Sequence, residues 1–339
     1  MAVTIKDIAQ KAGVSFQVVS AVLNDRKGSR ASVATRERIL KIAEQMGYQK
    51  NFGYLLMRGQ ETDTVGIFVS VNYRRYMEQT RQLILMLTEQ LCAMGYASFL
   101  HTFSDDARQN QKKVTELLNR GAHACILLGA PVGHLGILNL LQDKKIRYIS
   151  DSENFPRHVM YDRSGRLKLL ASFKQKFPGC FKVMCQEWET GSEGHIMKDM
   201  RRTFPELTEE EIRRKLLYII PRIDYNEKDV EVRLFQAGVA FTEKLMQAFP
   251  ETRAVYYMND YFALGGAHFF SERGWVVGKD IALGGHDAPI AQKISSLPIS
   301  TVEFDIDSMA KELISELFTD GPCDKVIPCF VRNLLDEKA

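Results

Sequence analysis

Val14-Ser15-Phe16-Gln17-Val18-Val19-Ser20-Ala21-Val22-Leu23-Asn24 decides how the first part of this chain folds. Ser15 is a good helix N-cap, because its hydroxyl can accept from a free backbone N–H of the first turn. Val18, Val19, Val22 and Leu23 recur at helical spacing and can form one buried face. Phe16, Gln17, Ser20, Ala21 and Asn24 are left on the other side. Just upstream, Thr4-Ile5-Lys6-Asp7-Ile8-Ala9-Gln10-Lys11-Ala12 reads as a shorter amphipathic helix. Its Thr4 and Asp7 are spaced like a capping box. Gly13 supplies the sharp turn between them. Two short helices joined by such a turn make a helix-turn-helix, whose second helix can lie in a DNA major groove.

Asp25-Arg26-Lys27-Gly28-Ser29-Arg30-Ala31 follows as a basic loop. It suits a phosphate backbone, and equally a plain surface loop. Ser32 caps a third helix, running to Met46, whose Ile39, Ile42, Ala43 and Met46 complete a three-helix core. Thr35 and Arg36 sit in its first turn, where free N–H groups favour a phosphate. The formal charge is +3 for the whole chain. Residues 1–62 carry +5 and the remainder −2, so a basic head precedes a near-neutral body. That asymmetry fits nucleic-acid binding by the head.

The other composition signals exclude rather than assign. At 339 residues the prior is a small head and one or two larger domains. No apolar run approaches the roughly 18 residues of a membrane span, and no secretory pattern opens the sequence. Six cysteines lie without CxxC spacing, as free thiols of a reducing cytoplasm would. There is no P-loop, GxGxxG, HExxH or GxSxG, and the seven histidines show no metal-ligand spacing. No catalytic residue, metal or cofactor is expected.

From Thr64 the pattern changes to alternating strands and helices. Val65–Val69, Ala97–His101, Ala124–Leu128 and Arg147–Ile149 read as strands, with helices over 77–94, 108–120 and 134–143. A second set follows Asp162. Its strands are Phe181–Cys185, Leu216–Ile220, Ala254–Met258 and Ile281–Gly284; its helices are 164–177, 193–203, 229–249 and 261–273. This alternation makes two doubly wound parallel-sheet α/β lobes.

Thr4-Ile5-Lys6-Asp7-Ile8-Ala9, Ala12-Gly13-Val14-Ser15, Val19-Ser20 and Val22-Leu23-Asn24 together resemble the N-terminal signature of the lactose-repressor/galactose-repressor family. Asn259-Asp260-Tyr261-Phe262-Ala263-Leu264-Gly265 and Ile281-Ala282-Leu283-Gly284-Gly285-His286-Asp287 resemble two motifs of its core. The resemblance implies an all-α helix-turn-helix head on two lobes like those of periplasmic binding proteins. The expected division is a DNA-binding head at 1–48 and a hinge helix and linker at 49–62. An N-terminal lobe is expected at 63–160 plus 292–322, and a C-terminal lobe at 161–291 plus 323–339.

The family's function is then expected here. A homodimer, cytoplasmic at the nucleoid, would bind a near-palindromic operator in double-stranded DNA, as a repressor. A small-molecule effector of the sugar class would sit between the lobes, and no membrane is involved. The implied DNA contacts are Thr4, Ile5, Ser15, Phe16, Gln17, Ser20, Ala21 and Asn24, then Ser32, Thr35, Tyr48 and Asn51. Met57, or its rival Leu56, would be the side chain that pries open a base step. Lys50, Gly53 and Tyr54 depart from the family's hinge. The implied effector contacts are Tyr76, Trp188, Asn259 and Asp287; a helix cap at Asn259 and a turn at Asp287 are the structural alternatives. The Arg that the family aims into the cleft falls at Gly194 or Ile196, with His195 between them. Two other readings stay open: a family regulator controlled by a protein partner, and, more distantly, a solute-binding protein.

Overall fold

A computed structural model describes residues 3–23, 31–48, 62–70, 78–187, 194–224, 228–287 and 290–335. The chain divides into two compact units, residues 1–62 and 63–339. The first contains helices α1 (Ile5–Ala12), α2 (Phe16–Leu23) and α3 (Val33–Gln45). Thr4 and Asp7 form the capping box: Thr4 Oγ1 accepts from Asp7 N, and Asp7 Oδ2 accepts from Thr4 N at 2.8 Å. Gly13 ends α1 at φ +60°, a left-handed position that suits a residue without Cβ. Ile8, Ala9, Ala12, Val19, Val22, Ile39 and Ala43 form the buried centre.

The second unit contains two six-stranded sheets. The first holds β1 (Thr64–Val69), β2 (Ala97–Thr102), β3 (Ala124–Leu128), β4 (Arg147–Ser150), β5 (Arg157–Tyr161) and β11 (Cys323–Ile327), in the order β11-β5-β4-β3-β1-β2. The second holds β6 (Phe181–Gln186), β7 (Leu217–Ile220), β8 (Ala254–Tyr257), β9 (Ala282–Gly284), β10 (Ile299–Phe304) and β12 (Cys329–Arg332), in the order β12-β10-β9-β8-β6-β7. Among the described residues every strand pairing is parallel except β10 with β12. The centrally placed β1 and β3 are buried at every residue, which explains their continuous apolar sequence. Helices α4 (Glu78–Ala93), α5 (Ala107–Asn119) and α6 (His134–Asp143) follow β1, β2 and β3. Helices α7 (Ser164–Lys176), α8 (His195–Thr203), α9 (Glu209–Lys215), α10 (Val230–Ala248), α11 (Asp260–Glu272) and α12 (Ile290–Ile294) belong to the stretch from β5 to β10.

The lobe boundaries differ from the sequence reading. Residues 292–322 are not all in the first lobe, because β10 extends the second sheet, Ile299 lying beside Leu283. Only α13 (Ile306–Leu317) returns, burying Met309, Leu313 and Leu317 in the first core. The tail from 323 is also split. β11 pairs with β5, whereas β12 pairs with β10. Pro328, which has no N–H to donate, stands between them. The chain therefore crosses between lobes near 162, 305 and 328. These segments hold one another: Asp162 N donates to Ile327 O at 2.8 Å, and the Tyr161 and Phe304 rings lie 4.7 Å apart.

Candidate DNA-binding face and effector cleft

In the head, α2 is flanked by α1 and α3, and Ser15 Oγ lies 3.4 Å from the Val18 N–H it caps. Phe16 remains 46% exposed and Gln17 is exposed beside it. Ala21 is half-buried. Ser20 is a correction: it is only 7% exposed, because packing on both sides widens the buried arc of α2 beyond Val19 and Val22. Thr4 and Ser32 are exposed and spend their hydroxyls on caps; Ser32 Oγ accepts from Thr35 N and lies 2.9 Å from Thr35 Oγ1. Ile5 and Tyr48 pack partly against the head core. Asn24, Asn51, Leu56 and Met57 lie outside the described residues, as do Lys50, Gly53 and Tyr54.

In the core unit, two adjoining cavities open beside the crossing segments. One, of about 460 Å³, is lined by Glu153, Tyr161, Asp162, Arg163, Arg166, His195, Lys198, Asp199 and Arg202, among others. The second, of about 200 Å³, shares Asp162, Arg163, Arg166 and His195 and adds His286, Asp287, Val302 and Phe304. A larger groove of about 920 Å³ lies at Cys180, Arg253 and Ala282, where strands of the second sheet begin. Ligands of open α/β sheets bind beyond the other ends of the strands, so the crossing-segment cavities are the candidate.

Asp287 faces the smaller cavity from a backbone at φ +96°, outside the usual range of a side-chain-bearing residue. Its N–H donates to Val302 O at 3.0 Å, which holds that conformation in place. His286 stacks against the buried Tyr256, and the Tyr256 hydroxyl lies 3.4 Å from His286 Nδ1. Arg166 Nε and Nη2 both donate to Asp199 Oδ2 at 2.5 Å. Arg163 Nη1 lies 3.4 Å from His195 Nδ1. Burial, then the charges of Arg163 and Arg166, hold the His195 pKa below the ordinary imidazole value. Asp162 is held below the carboxylate range by hydrogen bonds from the Ser164 hydroxyl and backbone N–H.

Asn259 is not among the residues that line either cavity. It is fully buried, and its Oδ1 accepts from Phe262 N at 3.1 Å as the N-cap of α11. The cap occupies its Oδ1, and its Nδ2 has no hydrogen-bond partner among the described residues. Gly194 is the N-cap of α8 and Ile196 is core, so neither fills the place of the missing Arg. His195 does line the cleft, together with Arg163 and Arg166, which the sequence reading passed over. A signal was present: two arginines at the first turn of a helix, where the dipole ordinarily favours acids. Tyr76 and Trp188 lie outside the described residues.

The first turn of α4 reaches across to the second lobe. Glu78 Oε2 accepts from Tyr261 OH at 2.8 Å and Oε1 accepts from Ile290 N at 3.1 Å. Gln79 Nε2 donates to the Asp287 carbonyl at 3.0 Å, and Arg81 pairs with Glu231 at 2.8 Å.

A helix-turn-helix head and a core of two parallel-sheet lobes with a cleft between them define a DNA-binding regulator of the periplasmic-binding-protein-like kind. The family described as bacterial regulatory proteins, lacI family, matches residues 4–51, and the periplasmic binding protein-like domain matches residues 183–320. The chain thus combines a lacI-family helix-turn-helix domain with a periplasmic-binding-protein-like domain. It is 32% identical over 148 residues to the maltose regulon regulatory protein MalI of Escherichia coli (strain K12), an alignment spanning 43% of this chain and 42% of that one. It is 24% identical to catabolite control protein A of Priestia megaterium over 96% of both chains. The Lac repressor dimer bound to operator and the anti-inducer ONPF has the same fold, with TM-score 0.70 and 17% identity over 98% of each chain. Among the described residues no helix is long and apolar enough to cross a membrane, and no group of His, Cys, Asp or Glu could hold a metal.

Proposed function

We propose that this chain is a transcriptional repressor that binds a near-palindromic operator as a homodimer and answers to a sugar-class ligand in the cleft. The observation that carries this reading is the Phe16–Gln17 pair, standing out from a helix whose Val19, Ser20 and Val22 are buried. Gln can bond adenine or guanine edges, and Phe can touch a thymine methyl. Thr4, Ser15, Ser32 and Thr35 are candidates for phosphate contacts, with Asn24 at the end of the stretch. Residues 49–62 would be the hinge that pairs with its twin on the minor groove, through Asn51 and Leu56 or Met57. A two-fold dimer matches a near-palindrome. The place of action would be the cytoplasm, at the nucleoid.

In the cleft, Asp287 and His286 offer an acceptor and a switchable ring nitrogen for sugar hydroxyls. The ligand would alter the angle between lobes and so the spacing of two hinge segments. It can shift DNA binding only by its differential affinity for the two arrangements.

Labelled duplexes titrated over a salt series test the reading. Random DNA should lose affinity steeply with salt, and one palindrome should be held far more tightly. Gln17→Ala should cost about 1–3 kcal/mol on that palindrome and relax preference at one base pair. Equal affinity for every duplex would defeat the proposal.

A further inference from the structure

The cleft is chemically polarised. Asp287 and His286 stand at one end of the smaller cavity, and a cluster of cations stands where the two cavities join. Arg163 and Arg166 enter from the start of α7. The cations Lys198 and Arg202 enter from α8 together with His195, which burial and the two arginines bias toward the neutral ring, at a spacing that places all three on one face of that helix. The acids among them are already committed. Both Asp162 oxygens receive hydrogen bonds from Ser164, and Asp199 Oδ2 takes two from Arg166. Glu153 lies 3.8 Å from Arg163, with both side chains more than half exposed, a separation at which water screens the pair. Arg166 Nη1 has no hydrogen bond among the described residues. The start of α8 borders this end and has no side-chain cap from its N-cap Gly194, whereas at the start of α7 the Ser164 N–H is already taken by Asp162 Oδ1. The uncapped start of α8 and the guanidinium forks of Arg163 and Arg166 together suit a multi-oxygen anion.

We infer that the ligand is an anionic sugar, a phosphate monoester or a carboxylate, with its anion between Arg163, Arg166 and His195 and its hydroxyls toward Asp287. This rests on the cleft being the effector site.

Thermal-shift and calorimetric titrations of the full-length protein decide it. The probes are hexoses and disaccharides, their 6-phosphates, the corresponding uronates, and inorganic phosphate. At least one phosphate ester or uronate should raise the melting temperature at concentrations where its neutral parent does not, and which of the two does so distinguishes the anion. Added NaCl should weaken that binding. Arg163→Gln, at a half-exposed position, should weaken the charged ligand about tenfold and leave thermal stability unchanged. Lys198→Ala should act in the same direction. A neutral sugar that binds as tightly as its ester, or an Arg163→Gln effect equal on both, overturns the inference while leaving the cleft as the effector site. Absence of binding by every probe overturns both.

Discussion

Gly265→Ala tests the packing that holds the candidate cleft in shape. α10 and α11 cross with almost no separation at Gly238 and Gly265. A Cβ at Gly265 would fall 2.1 Å from the Phe235 carbonyl oxygen, 2.9 Å from Val239 N and 3.0 Å from Gly238 Cα. All three are backbone atoms, so no side chain can turn aside, and the helices must part by about 1 Å. Alanine favours the helix over glycine by about 1 kcal/mol. Overpacking of this kind costs about 1–3 kcal/mol and sometimes more, and separation also loosens Leu234, Leu245 and Phe262 in the same core. The cost exceeds the gain, and the variant should be less stable by about 2 kcal/mol. Urea unfolding followed by circular dichroism measures this, with an unchanged slope and a lower midpoint. A midpoint equal to or above that of the parent would mean that helix propensity outweighs the crossing and would refute the reasoning. The damage should reach the cleft as well. Asp260 N donates to His286 O at 3.0 Å, and Gly285 lies against Asn259 and Asp260, so a displaced α11 carries the 284–287 loop with it.

Two further outcomes follow from the cleft. Tyr261→Phe removes the hydroxyl donor to Glu78; burial, then Glu78 itself, raises the Tyr261 pKa, so the hydroxyl stays protonated and donating. Loss of a hydrogen bond to a charged group should cost about 1.5–3 kcal/mol of the closed arrangement. Small-angle scattering should show a more open core unit, and an unchanged profile with unchanged stability would dismiss Glu78 as a clasp. For pH, the folded-state pKa of His195 lies below the 6.5 of an unperturbed imidazole. The unfolded chain therefore takes up the proton first, and stability should fall as pH drops from 6.5 through the lower folded value. His195→Gln should flatten that part of the pH–stability curve, and an equal slope in both proteins would contradict it.

The head was legible because its determinants are local. The Thr4–Asp7 spacing, Gly13 and the caps at Ser15 and Ser32 each act within four residues, and the structure contains them. Ser20 was misread because a single helix pattern does not reveal that both neighbours press on it. The inner strands of both lobes were readable from their apolar runs, but Arg157–Tyr161 and Ile299–Phe304 were not read as strands, and the sheet that each late strand joins was not readable either. That choice depends on pairings such as Ile299 beside Leu283 and Cys323 beside Arg157, across long sequence separations. The same limit applies to the cleft. Asp287 could be placed from its motif, whereas Arg166 acquires its position from Asp199 on another helix, and Glu78 meets Tyr261 across 183 residues.

The clasp and Asp287 are parts of one mechanical junction. The Asp287 N–H is held by Val302 in its own lobe, its carbonyl is held by Gln79 from the other lobe, and its carboxylate faces the smaller cavity. A ligand that pulls on the carboxylate therefore acts on a backbone that already belongs to both lobes, at a φ of +96° that leaves little slack. The neighbouring Ile290 N–H is likewise held by Glu78. To favour one lobe arrangement tenfold, the ligand needs a differential affinity of only about 1.4 kcal/mol between the two states. Making or breaking one hydrogen bond to a charged group such as Glu78 is worth about that much or more. The geometry thus needs no long relay through the core: the residue that would meet the ligand and the residues that hold the lobes together are adjacent.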